Sequence, residues 1–381
     1  MKRKYTAGID IGGTGTKLGL FAYGGKPVEI WSIPTDTADH GGHIIKNAAE
    51  SLCRKMKALG VSSADMEGAG IAVPGAVKDG IHAEVCPNIG WMHRDVRAEF
   101  IEAFSAALLS GQTHAETAGR EAYVAGEKKR EPETADASAL FRTSLAHINS
   151  SITCEEANDR GRGFFEPWLD SELLPPSFRV KVMNDAAAAA CGEFTAGGGR
   201  SSRTMMMVTL GTGVGAAVIA DGRLINGVFG CAGEIGHMNV NPTETEKCSC
   251  GRRGCLEQYV SAGGIVHRMK KYLESGGKSL LDENSLSAEN ISDAVYNGDE
   301  LAERVMKETG SLLGRALATV SCVIDPGLFV IGGGVAEAGE VLLTPVRESY
   351  INTCYPPSAG ARIIKAELGG NAGVYGCALS L

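Results

Sequence analysis

One pattern constrains the fold of this chain more than any other, because it occurs twice. A short apolar strand ends on a glycine-threonine-glycine loop and returns as a second apolar strand, near residues 9–20 and again near 207–219. The first copy reads Asp10-Ile-Gly12-Gly13-Thr14-Gly15, the second Leu210-Gly211-Thr212-Gly213-Val-Gly215. Glycines at such a turn let the backbone bend and approach other groups where a Cβ would intrude. The first copy continues through a turn at 23–26 into a third strand at 27–31. The second continues through Asp221-Gly222 into 223–225, as in a hairpin. A duplicated three-strand opening in 381 residues predicts two lobes of similar topology, since one core rarely grows to that length.

Between the copies the pattern is mixed α/β. Residues 43–59 have helical apolar spacing and stop at Gly60, and 69–73 form a short buried strand ended by Pro74-Gly75. Residues 180–183 form another strand, ended by Asn184-Asp185 and followed by an alanine-rich helix over 186–194. A late strand at 328–331 runs into Gly332-Gly333-Gly334. From 106 to 176 the periodicity fades into a charge run at 127–131, a polar stretch at 149–162 and the isolated aromatics Phe164, Phe165 and Trp168. The expected organisation is a small lobe over 1–195 with an insert at about 107–176, a large lobe over 196–366, and a return to the small lobe over 367–381.

Composition narrows the function. With 44% hydrophobic and 22% charged residues the chain reads as an ordinary soluble globular protein. A net charge of −8 without a basic run argues against nucleic acid or an anionic membrane as the main partner. There is no signal-peptide core and no apolar run of membrane-spanning length. The eleven cysteines are scattered apart from Cys248, Cys250 and Cys255, which suits reduced thiols in a cytoplasmic protein.

The glycine loops suit phosphate. Unobstructed backbone N–H groups and the hydroxyls of Thr14 and Thr212 can donate to phosphate oxygens, and Asp10, at a strand end, can hold Mg²⁺ through water. Neither loop ends in the Gly-Lys-Ser/Thr of a Walker motif, and no Gly-x-Gly-x-x-Gly lies between a strand and a helix. Asn184-Asp185 suits two roles. Both residues favour helix N-caps, and a carboxylate can take the proton of a sugar hydroxyl, whose pKa is far above 7, as a bond to phosphorus forms.

Cys248-x-Cys250-x₄-Cys255, with His237 just ahead, has the residues for a closed tetrahedral thiolate–imidazole set, the mark of structural zinc. A redox or incidental cysteine cluster is the alternative. Glu234 and Glu257 flank this motif, where they could accept hydrogen bonds from sugar hydroxyls, although single glutamates are more often solvated surface groups.

These pieces, with Val73-Pro-Gly75, Pro87-Asn88, Trp91 and the ending 373–378, resemble the ROK family of sugar kinases and sugar-responsive repressors, within the actin-like ATPase superfamily. The resemblance implies a two-lobed actin-like (ribonuclease H-like) α/β fold with a cleft between the lobes. It implies Asp185 as catalytic base, with Asn184, Asp185, Glu234, His237 and Glu257 on the sugar. ATP would meet Asp10, Gly12, Gly13, Thr14, Gly211, Thr212 and Gly213, with Gly332, Gly333 and Gly334 on the adenosine side. Zinc would be held by His237, Cys248, Cys250 and Cys255. The implied reaction uses ATP and Mg²⁺ to convert glucose to glucose 6-phosphate. N-acetylmannosamine, fructose or allose are alternative substrates, and a non-catalytic sugar sensor is the alternative role. A homodimer or homotetramer is expected. Family repressors carry a helix-turn-helix ahead of the first strand, whereas about four residues precede it here, so an enzyme is the expected member.

Overall fold

The computed structural model describes residues 4–121 and 173–381. Strands β1 (Tyr5–Ile11), β2 (Gly15–Ala22) and β3 (Lys26–Pro34) form an antiparallel meander, and β4 (Met66–Val73) pairs with β1 in parallel. Such a parallel step requires a crossover. Helix α1 (Ile44–Ala58) lies between β3 and β4 in the chain and buries Ile44, Ile45, Ala48, Leu52 and Met56 along one stripe. Three short strands, β5 (Ala76–Lys78), β6 (His82–Cys86) and β7 (Trp91–Asp95), form a separate antiparallel sheet. Helix α2 (Val96–Glu121) follows, and β8 (Arg179–Asn184) then joins β4 in parallel, completing the order β3-β2-β1-β4-β8. Helix α3 (Asp185–Ala196) leaves directly from β8.

The second sheet repeats this plan. Strands β9 (Met205–Leu210), β10 (Val214–Ala220) and β11 (Arg223–Ile225) are antiparallel. Helices α4 (Ala262–Glu274), α5 (Glu300–Ile324) and α6 (Glu340–Thr353) cover one face, and β12 (Leu328–Gly332) and β13 (Arg362–Lys365) add in parallel. The order β11-β10-β9-β12-β13 matches the first sheet strand for strand. The duplication read from two loops is thus a duplication of whole sheets.

The helices that join the two halves exchange places. α3 continues from the first sheet, yet Ala187 and Ala190 pack with Met205, Met207, Ala217, Ile219 and Val330 of the second. Helix α7 (Ala372–Leu379) continues from the second sheet, yet Val374 and Ala378 pack on Phe21, and Cys377 packs with Ala72, in the first. The two helices lie backbone to backbone. A Cβ on Gly192 would collide with the carbonyl of Ala372, and one on Gly376 with that of Ala188. The sequence reading places 186–194 with the first lobe and returns 367–381 to it; here α3 packs on the second sheet and α7 on the first.

The expected insert of about 107–176 overlaps described elements at both ends. Position 107 falls inside α2, where Ala107 is buried and Phe104 stacks on Phe178 at 5.8 Å between ring centroids. Leu174, before the expected end at 176, belongs to the first lobe's core. Amphipathic spacing had faded in the sequence before the helix did. The charge run at 127–131, the polar stretch at 149–162 and the aromatics at 164–168 lie outside the described residues. Among the described residues no helix is long and apolar enough to cross a membrane.

Candidate active site

The glycine loops occupy equivalent places in the two halves. In the β1–β2 turn Gly12 N–H donates to Gly15 O at 3.0 Å, and in the β9–β10 turn Gly211 N–H donates to Gly213 O at 2.9 Å. Gly332 pairs with Thr209 across β12–β9, and Gly333, at φ 83°, lies against the backbone of Leu210, which sets 332–334 beside 211–213. The three loops predicted to meet the nucleotide thus end their strands at the same edge of each sheet.

Asp10 closes β1 opposite Lys17 on β2, so the two side chains share a face. Lys17 donates from Nζ to the carbonyl of Gly370, just ahead of α7. Lys17 was not singled out from the sequence. Its signal is the register, because a tight turn over Gly12–Gly15 makes the residue seven places after Asp10 its partner.

Asn184 and Asp185 divide the two roles read for the pair. Asn184 is the N-cap: Oδ1 accepts from Ala186 N at 2.9 Å and Ala187 N at 3.1 Å, while Nδ2 donates to Gly75 O at 3.1 Å. One amide hydrogen is left for a ligand. Asp185 stands at the first helical position, with Oδ1 accepting from Ala186 N at 2.8 Å, and its side chain faces the water of the cleft. The protein crowded around this cleft still desolvates it enough to raise its pKa above the ordinary carboxylate value, against the pull of its backbone N–H donors. Burial likewise raises Glu234, with His237 opposing and Asp185 and Glu257 adding to the rise. Glu234 lines one cavity together with Asn184, the neighbour of Asp185.

The cysteine motif closes as expected. One ligand atom each from His237, Cys248, Cys250 and Cys255 lies within 4.8 Å of every other. Cys250 Sγ to Cys255 Sγ is 3.7 Å and Cys248 Sγ to His237 Nδ1 is 3.8 Å. Zinc–sulfur bonds of about 2.3 Å in a tetrahedron put neighbouring ligands about 3.8 Å apart, so the donor set fits zinc. The bend needs glycine at 254, with φ 69°, where a Cβ would strike the carbonyl of Asn241. Glu257 carries the motif into the cleft: Oε1 accepts from Ser249 Oγ at 2.8 Å and Oε2 from Val214 N at 3.1 Å, beside the second glycine loop.

Asp10 has its pKa raised to about 7, first by burial and then by the charge of Asp185, with Lys17 opposing. Two carboxylates that repel each other beside one ammonium fit a hard divalent cation, which restores their ionisation. The same shift has a stability consequence. Asp10 binds its proton more tightly folded than unfolded, so its contribution is fully present below about pH 4 and is lost as pH rises to about 7. Asp10→Asn is therefore expected to stabilise the Mg²⁺-free protein at pH 8 by about 2 kcal/mol, after allowing for water in the open cleft. Melting curves for both proteins from pH 5 to 8 should show the gap widening up to pH 7. A gap independent of pH would remove Asp10 as its source.

Comparison with known proteins agrees with this geometry. Residues 176–381 match the ROK family. A glucokinase of Halalkalibacterium halodurans is 30% identical over 383 residues, covering 99% of this chain and 94% of that protein. A DNA-binding transcriptional dual regulator of Escherichia coli, NagC, is 35% identical over 190 residues, 49% of this chain and 46% of the regulator. Among solved structures, a ROK family glucokinase from Streptomyces griseus in complex with glucose and AMPPNP superposes with a TM-score of 0.66 at 26% identity, covering 98% of each chain. By the family match over more than half of its length and the full-length similarity to a glucokinase, the chain belongs to the ROK family and has its two-lobed actin-like ATPase fold.

Proposed function

We propose that this protein transfers the γ-phosphoryl group of ATP to a hydroxyl of a hexose, with glucose to glucose 6-phosphate as the reaction. The observation that carries the reading is Asp185, a carboxylate of raised pKa exposed in a cleft and near enough to Asp10 and Glu234 to share their fields. Full-length similarity to a glucokinase, and to the fold of one solved with glucose and AMPPNP, supports the choice of sugar and donor.

In this reading Asn184, Glu234, His237 and Glu257 hold the sugar hydroxyls. Asp185 removes the proton of the attacking hydroxyl as its oxygen bonds to the γ-phosphorus and ADP departs. The amides of Gly12, Gly13, Gly211 and Gly213 and the hydroxyls of Thr14 and Thr212 cradle the phosphates, with Gly332–Gly334 toward the adenosine. Lys17 supplies positive charge on the face it shares with Asp10. Mg²⁺ bound near Asp10 would neutralise phosphate charge, and zinc at the cysteine cluster would fix the loops that carry Glu234 and Glu257. A cytoplasmic setting suits the ten unpaired cysteines among the described residues.

A coupled ADP-release assay over a panel of hexoses and N-acetylhexosamines tests the reading. Glucose should give the highest kcat/KM. The partial similarity to a transcriptional regulator makes a sugar-binding protein without turnover the competing outcome, and ADP release at background for every sugar would establish it.

A further inference from the structure

The two stretches that join the exchanged helices to the second sheet, 197–203 after α3 and 366–371 before α7, meet at one side chain. Glu193, near the end of α3, has no solvent exposure. Among the described residues it has no ion-pair partner, and backbone N–H groups alone meet its carboxylate. Oε2 accepts from Gly198 N at 2.8 Å, on the outgoing stretch, and from Glu367 N at 3.2 Å, on the returning one. Oε1 accepts from Leu368 N at 2.7 Å, also on the returning stretch. A fully buried carboxylate is costly unless its hydrogen bonds are supplied, and here both crossovers supply them. A second, exposed tie joins Arg200 to Glu367 at 3.1 Å.

Three functional groups of the small-lobe wall are reached from this point. Asp185 begins the helix that carries Glu193 in its last turn, eight residues or about 12 Å along its axis. The returning stretch passes Gly370, which accepts from Lys17, and enters α7, where Gly373 abuts the Asp10 carboxylate.

We propose that Glu193 is the positioning residue of the hinge. Its carboxylate ties the end of α3 to the stretch that leads into α7, so that the lobes close on bound sugar and nucleotide with Asp185, Asp10 and Lys17 in register against the large-lobe loops. The role rests on the kinase reading above for its ligands.

Glu193→Gln keeps the volume but turns an amide donor toward backbone donors. With zinc content and circular dichroism retained, its kcat/KM is expected to fall at least about tenfold, as for hinge substitutions that move kcat and KM together. Contraction of the radius of gyration on adding glucose and a non-hydrolysable ATP analogue, measured by small-angle scattering, should be lost. Wild-type rates and wild-type contraction in the variant would overturn the proposal. A second measurement needs no variant. In the wild-type protein the amides of Gly198, Glu367 and Leu368 should resist hydrogen exchange both with and without ligands, whereas loss of their protection on closure would rule out a pivot there. A wild-type protein that contracts but phosphorylates no hexose would refute the kinase reading and leave the clamp standing.

Discussion

Asp185→Asn is expected to lower kcat by about 10²–10⁴-fold while the KM for sugar moves less than about tenfold, because a positioned general base contributes that much and little of it is ground-state binding. The substitution isolates the proton-accepting role. The N-cap is Asn184, so the start of α3 does not depend on the acid at 185. Asn retains an acceptor oxygen for Ala186 N–H, and its neutrality relieves a carboxylate that burial already disfavours. Wild-type kcat should fall as pH drops through the raised pKa of Asp185, because protonation removes the base. The residual rate of the variant should lose that dependence. Near-normal turnover in Asp185→Asn would end the assignment, whatever the variant did to affinity.

Cys250→Ser should remove one zinc per chain, lower thermal stability and weaken sugar binding together. Cys250 is the exposed member of the four, its thiol drawn down to about 6, first by a backbone N–H donor of Arg252, while burial pushes Cys255 up to about 12. Three thiolates and an imidazole within 4.8 Å of one another cannot all be in their ligating forms without a cation between them. Ser249, between two of the thiols, donates to Glu257, and His237 N–H donates to the carbonyl of Glu234 at 3.2 Å. Losing the metal therefore releases both glutamates proposed to hold the sugar, and a KM for sugar raised at least about tenfold is expected from loss of such support. Elemental analysis showing no zinc in freshly purified wild-type protein would refute the site. Zinc loss without a change in KM would separate the metal from the sugar.

How much of this could be read in advance differs by element. The end of β1 is legible because Ala7, Ile9 and Ile11 are fully buried and glycines stop the strand. The cysteine cluster is legible because its spacing is local and its chemistry narrow. The packing of α3 on the second sheet is not, since apolar periodicity marks a buried face without naming the sheet that covers it. One sign was present: Ala186–Ala190 are all buried, and five small residues in a row describe a helix covered on every side. Lys17 was missed for a related reason, because its partner is defined by pairing across a turn and not by a motif. The insert boundary failed because a helix can continue after its amphipathic stripe has faded.

The exchange of the two connecting helices has a consequence for biosynthesis. α7 covers the first sheet and donates from Cys377 Sγ to the carbonyl of Ile9, a separation of 368 residues. During synthesis that face of the first sheet emerges early and stays bare until nearly the whole described chain has been made. Contacts so distant in sequence form slowly, and an uncovered apolar sheet is a surface for misassociation in the meantime. A nascent chain stalled before residue 372 should therefore hold a complete strand order without its cover. It should recruit chaperones that a chain released after 379 does not need.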